Sequence, residues 1–149
     1  MQRLHVSLKV ENLDASIRFY STLFASEPTL RKPDYAKWML EDPRVNFSIG
    51  ERGEGVGIEH LGIQVDSPEE LSGLKERFQQ AGGPVRDEGE TICCYHHSDK
   101  AWVTDQQGVS WEGFYTSGEA DQWRDPEVAA ESGSCCSTDC CAEDPQPAS

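Results

Sequence analysis

The chain has 149 residues, with 27 acidic side chains against 13 Lys and Arg, for a net charge of −14. That length holds one domain, or two small modules sharing a core. The acidity argues against nucleic acid or anionic membrane as a partner. No apolar run reaches the length of a membrane span, and MQRLHVSLKV lacks the apolar core of a signal peptide, so the expected location is the cytoplasm.

Residues 3–10, RLHVSLKV, alternate between Leu4, Val6, Leu8 and Val10 on one side and His5, Ser7 and Lys9 on the other. This predicts a half-buried strand with His5 on its polar face. Asn12 caps a predicted helix whose apolar positions Leu13, Ile17, Tyr20 and Phe24 follow helical spacing, with Pro28 as its stop. Residues 36–49 read as a hairpin turning at Glu41-Asp42-Pro43-Arg44. Gly50 to Gly57, with four glycines in eight residues, reads as a linker.

The pattern then repeats about 55 residues later. In HLGIQV, residues 60–65, His60, Gly62 and Gln64 take the polar face, and Leu61, Ile63 and Val65 take the buried one. Ser67-Pro68-Glu69-Glu70 is a capping box with proline at the first helical position. Leu71, Leu74, Phe78 and Ala81 are expected on the core side of that helix, and Gly82-Gly83 stop it. A second hairpin pairs AWVTD with VSWEGFY through Gln106-Gln107-Gly108. Trp38 answers Trp102, Asp42 answers Asp105, and Phe47 answers Trp111. The chain is thus two copies of a β-α-β-β unit, with room for a further strand in each. Each sheet buries one face on its helix and curls the more polar face toward its twin.

Beyond Ser117 no periodicity survives. Residues 118–149 carry eight acids against one base, Arg124, which accounts for half of the net charge. This tail is expected to be disordered.

His5 and His60 occupy the same phase of equivalent strands, so a pseudo-twofold axis brings them face to face. Glu112 comes from the last strand of the second unit, where the first unit has Ser48, a poor ligand. A lone strand histidine is more often a hydrogen-bonded core residue, and Glu112 alone reads as a solvated edge charge. The repeat changes both readings. Two imidazoles and one carboxylate with open positions form the facial triad of non-haem Fe(II) oxygenases.

The six cysteines fall into adjacent pairs: Cys93–Cys94, Cys135–Cys136 and Cys140–Cys141. Neighbouring Cα atoms lie about 3.8 Å apart, too close for an unstrained disulfide. Three such pairs point to ligation of something thiophilic. Cys93 and Cys94 are expected in a loop between helix and hairpin, suited to a trivalent metalloid. Cys135, Cys136, Cys140 and Cys141 suit a soft ion, or are an unstructured remnant. His96 and His97 read as exposed.

Over residues 1–117 these features resemble the glyoxalase/bleomycin-resistance/extradiol-dioxygenase (vicinal oxygen chelate) superfamily. More narrowly, PDYAKWMLEDPRVNFSI, EHLGIQV and CCY…WVTDQQGVSWE resemble the carbon–arsenic lyase and cadmium-induced protein family. The resemblance implies an α+β fold of two tandem βαβββ modules, about 1–52 and 58–117, forming a curved, cup-like mixed sheet around a metal site. It implies Fe(II) on His5, His60 and Glu112, O2 as co-substrate, and a trivalent organoarsenical on Cys93 and Cys94. Cleavage of the carbon–arsenic bond would release arsenite. Three rivals stand beside it. Cadmium or metalloid sequestration needs thiols without turnover, a thiol transferase calls for a basic pocket, and a glyoxalase would be expected to have a fourth protein ligand. Closure of the modules within one chain or across a homodimer is left open.

Overall fold

The computed structural model describes residues 1–93 and 96–119, with the side chains of 90–93, 96–97 and 118–119 left aside. Its elements run β1 Arg3–Lys9, α1 Leu13–Phe24, β2 Leu30–Lys32, β3 Tyr35–Glu41, β4 Arg44–Gly50, β5 Gly57–Val65, α2 Pro68–Gln80, β6 Val85–Cys93, β7 His96–Thr104 and β8 Ser110–Glu119. This is βαβββ twice over. The strands make a single eight-stranded sheet in the order β2-β3-β4-β1-β5-β8-β7-β6. Each module's first strand pairs parallel with its last, β1 with β4 and β5 with β8. The modules join where β1 pairs antiparallel with β5. Closure therefore occurs within one chain.

Local chemistry places both helices. Asn12 Oδ1 accepts from the Ala15 amide at 2.8 Å, filling one of the donors a helix start leaves unpaired. Ser67 Oγ accepts from the Glu70 amide at 3.2 Å, while Glu70 Oε2 accepts from the Asp66 amide at 3.0 Å. The capping box thus closes one residue earlier than its usual form. Helix α1 ends at Phe24, where Ala25 turns left-handed at φ 50, so Pro28 is not its stop. Ala81, expected on the core side of α2, is instead its exposed C-cap.

Each module has its own apolar core. Leu13 and Ile17 of α1 pack with Ala36, Trp38, Phe47 and Ile49. Leu71, Leu74 and Phe78 of α2 pack with Val65, Ala101 and Val103. The polar face of β1 is nevertheless the better covered one. His5 and Ser7 are 6% and 4% exposed, whereas Leu4 is 45% exposed. Curling puts the polar faces inside the cup, where their side chains satisfy one another rather than water.

One expected correspondence slips by a residue. Trp38 pairs across from Phe47, and the residue that pairs across from Trp111 is Val103. Trp102 pairs with Glu112, as Lys37 pairs with Ser48. Successive strand residues face opposite ways, so Trp38 lies in the first core while Trp102 faces His60 at a ring separation of 5.1 Å. Phe47–Trp111 and Ser48–Glu112 do correspond, since Val6 and Ser7 pair with Phe47 and Ser48 as Leu61 and Gly62 pair with Trp111 and Glu112.

Candidate metal centre

His5, His60 and Glu112 come from β1, β5 and β8, three adjacent strands of the sheet. Alternation aims all three side chains into the cup, and the pairing of Gly62 with both His5 and Glu112 brings the donors level. His5 Nε2 lies 3.1 Å from His60 Nε2. Glu112 Oε2 lies 3.4 Å from His60 Nε2 and 3.7 Å from His5 Nε2. Donors sharing one first-row ion at about 2.1 Å stand roughly 3.0–3.5 Å apart. Two of the separations fall in that range and the third, 3.7 Å, lies just beyond it, so a small shift of Glu112 would let the three hold a single metal. Among the described residues, they form the group of His, Cys, Asp and Glu side chains whose ligand atoms all lie within 4.8 Å of one another.

The hydrogen bonds around the donors favour the same use. His5 Nδ1 donates to the Asn46 carbonyl at 3.0 Å, which leaves Nε2 with its lone pair toward the centre. Burial is the main reason the His5 pKa falls to about 4, outweighing the attraction of Glu112. Burial pushes the Glu112 carboxyl up. The Lys100 ammonium and then His60 outweigh it and hold the group well below the usual carboxylate range. At neutral pH His5 therefore presents a neutral imidazole and Glu112 an ionised carboxylate, the forms a metal needs.

The pocket extends past the triad. Its lining includes Tyr35, Lys37, Asn46 and Gln64 on one side and Ser98, Lys100, Phe114 and Thr116 on the other. Phe114 meets the His5 ring edge-on at 5.2 Å. Ser98, Lys100, Phe114 and Thr116 continue along β7 and β8 toward the end where β6 stops at Cys93 and β7 starts at His96.

Residues 2–112 match the family described as the glyoxalase/bleomycin resistance protein/dioxygenase superfamily. The chain belongs to that superfamily. Its curved sheet is shared with an extradiol ring-cleaving dioxygenase from B. fuscum, at TM-score 0.60 and 16% identity over 80% of this chain and 34% of that one. A Mn(II)-bound glyoxalase from Novosphingobium aromaticivorans gives 0.58 at 18% identity, over 84% and 43%. Nearer in sequence is the trivalent organoarsenical cleaving enzyme of Bacillus sp. (strain MD1), 48% identical over 78% of this chain and 74% of that protein. The enzyme of the same name from Thermomonospora curvata is 30% identical over 95% and 100%. The cadmium-induced protein CadI of Mycobacterium tuberculosis is 39% identical over 75% and 74%.

Within this superfamily fold, sequence reasoning missed Lys100, whose ammonium binds Glu112 Oε1. Alternation held the signal: Ala101 and Val103 belong to the second core, so Lys100 and Trp102 must face the cup. Asn46 was missed as well, because its contribution is a backbone carbonyl. Cys93 ends strand β6, where a loop was expected. Cys94 and the tail residues Cys135, Cys136, Cys140 and Cys141 lie outside the described residues. The backbone of His96 and His97 begins β7. No helix among the described residues is long and apolar enough to cross a membrane.

Proposed function

We propose that this chain cleaves the carbon–arsenic bond of trivalent organoarsenicals, methylarsonite and aromatic arsenicals among them, in an Fe(II)- and O2-dependent reaction that releases arsenite in the cytoplasm. The observation that carries this is the convergence of His5 Nε2, His60 Nε2 and Glu112 Oε2 in one buried pocket. It occurs in a chain whose nearer relatives include two proteins named for organoarsenical cleavage. The donor set, two imidazoles and one carboxylate with no fourth protein ligand among the described residues, suits Fe(II) that must keep positions open. Ser48, the counterpart of Glu112, adds no such ligand.

Bound by His5, His60 and Glu112, Fe(II) would supply the binding and activation of O2. The remaining work belongs to the chain. Asn46 fixes the His5 tautomer, and Lys100 keeps Glu112 ionised. Trp102 and Phe114 wall the donors with rings that shed water. Cys93 and Cys94 hold the arsenic through two thiolates, leaving its carbon group free to vary. Fixing the arsenical by its arsenic beside the metal centre is catalysis by positioning. For this, the β6–β7 end must arch over the cup. Register shifts between Asp87 and Gly89 and between His97 and Ser98 are irregularities of the kind that bend strands.

The likeness to CadI favours a second reading, in which the cysteines sequester cadmium or a metalloid without turnover. Turnover of the anaerobically prepared wild type separates the two, and Cys93→Ser and Cys94→Ser then test the substrate site. Serine is a harder, less acidic donor than cysteine. Each variant is expected to keep full iron yet lose methylarsonite binding and cleavage, even in a chain lacking the tail cysteines. Normal cleavage by either variant would remove the vicinal pair from the substrate site.

A further inference from the structure

Lys100 lies on β7 across from Phe114 of β8 and is 5% exposed. Its ammonium binds Glu112 Oε1 and lies 5.9 Å and 5.8 Å from the ring centres of Trp102 and Phe114. The two oxygens of Glu112 are thereby divided. Oε1 belongs to Lys100, and Oε2 faces both histidines at 3.4 and 3.7 Å.

We propose that Lys100 is a positioning residue that restricts Glu112 to one-oxygen coordination of the metal. A carboxylate free to chelate would spend both oxygens on the ion and close a position that reactants need. Lys100 keeps that position open and aims Oε2 at the histidines. The inference rests on the metal-centre reading, though not on the identity of the substrate.

Comparison of the two modules supports it independently. Tyr35 pairs with Gly50 as Lys100 pairs with Phe114, so Tyr35 holds the place of Lys100 in the first module. Ser48 there holds the place of Glu112. Lysine and carboxylate occur together in one module and are both replaced in the other, which is what a shared task requires. The buried Tyr35 also shows that this strand position can be filled without a charge. Stability gives no sufficient reason for the pair, since a buried ion pair is often no better than apolar residues of similar volume.

The test uses the full chain, loaded anaerobically with Fe(II) alone, in wild type, Lys100→Met, Lys100→Leu and Lys100→Arg. Infrared spectra, loaded minus metal-free, give the separation between the asymmetric and symmetric carboxylate stretches, assigned to Glu112 by its loss in Glu112→Gln. Wild type is expected to show a separation wider than that of a free carboxylate, as single-oxygen binding requires. Lys100→Met and Lys100→Leu are expected to narrow it while retaining one iron per chain, and Lys100→Arg to restore the wide value. Turnover should fall by about 10–100-fold in the two apolar variants, the usual cost of losing a residue that orients a metal ligand. An unchanged separation in Lys100→Met or Lys100→Leu overturns the inference while leaving the metal centre standing. A wild type that takes up no iron overturns both. Unfolding of both apolar variants would assign Lys100 to stability instead.

Discussion

Burial keeps the His5 imidazole neutral, and the cost of charging it inside the cup makes stability depend on pH. Its pKa is lowered from 6.5 to about 4 in the fold. The unfolded chain therefore binds the proton more readily, so this contribution is present above about pH 6.5 and is lost as pH falls toward 4. The loss amounts to about 3 kcal/mol. Glu112, also held below its usual value, acts in the same direction at lower pH. Urea unfolding of metal-free protein between pH 7 and 4.5 is expected to show this slope, and His5→Leu to flatten it. An equal slope in His5→Leu would assign the dependence to other groups. The three ligands also differ in what their loss leaves behind. His5→Ala, His60→Ala and Glu112→Ala are each expected to lose iron after anaerobic loading. Glu112→Ala alone also removes the carboxylate bound by the buried Lys100 ammonium, with an added cost of about 3–5 kcal/mol. Glu112→Gln, which keeps an acceptor for Lys100, is expected to unfold at a denaturant concentration between those of wild type and Glu112→Ala. Full iron in any alanine variant would remove that residue from the centre.

At the scale of elements, the centre depends on how closely β5 and β8 approach. A Cβ on Gly62 would stand 2.6 Å from the Glu112 carbonyl oxygen and 3.2 Å from its Cβ. Gly62→Ala must push β8 outward at the residue that carries the carboxylate. It is expected to cost about 1–3 kcal/mol and to weaken metal binding. Gly73→Ala in α2 meets nothing within 4 Å and is expected to stabilise by about 0.4–1 kcal/mol. Thermal melts and metal titration of the two variants check the contrast. Gly62→Ala with normal metal affinity would show that the strand spacing is not critical. The elements were legible because their signals are local: Asn12 and Ser67 announce the helices, and HVSLKV and HLGIQV share a phase. The Trp38–Trp102 alignment failed because matching residue types across the repeat does not fix register, and one residue decides which face is presented. Strand β6 was unread where the Cys93–Cys94 pair drew attention to ligation rather than to alternation.

Across the whole molecule, internal repetition made the architecture readable before any contact was known, and the two phase-matched histidines followed from it. Lys100 was not legible as a partner of Glu112, because alternation along β7 gives only its face and the β7–β8 pairing sets the contact. Strand β8 also continues to Glu119, two residues past the module end expected at 117, with Gly118 and Glu119 pairing His97 and His96. Truncation after Glu119 is therefore expected to leave turnover on saturating arsenical largely intact. Truncation after Ser117, which removes those ladder partners from the β6–β7 end, should impair it. Equal and complete inactivity of both folded truncations would place an essential function in the tail. The central claim is tested most directly by loading the chain with Fe(II) without oxygen, adding methylarsonite, and measuring arsenite before and after O2 is admitted. No arsenite is expected until O2 enters, and then release that depends on His5, His60 and Glu112. Arsenite released equally without O2, or none after it, would contradict the account.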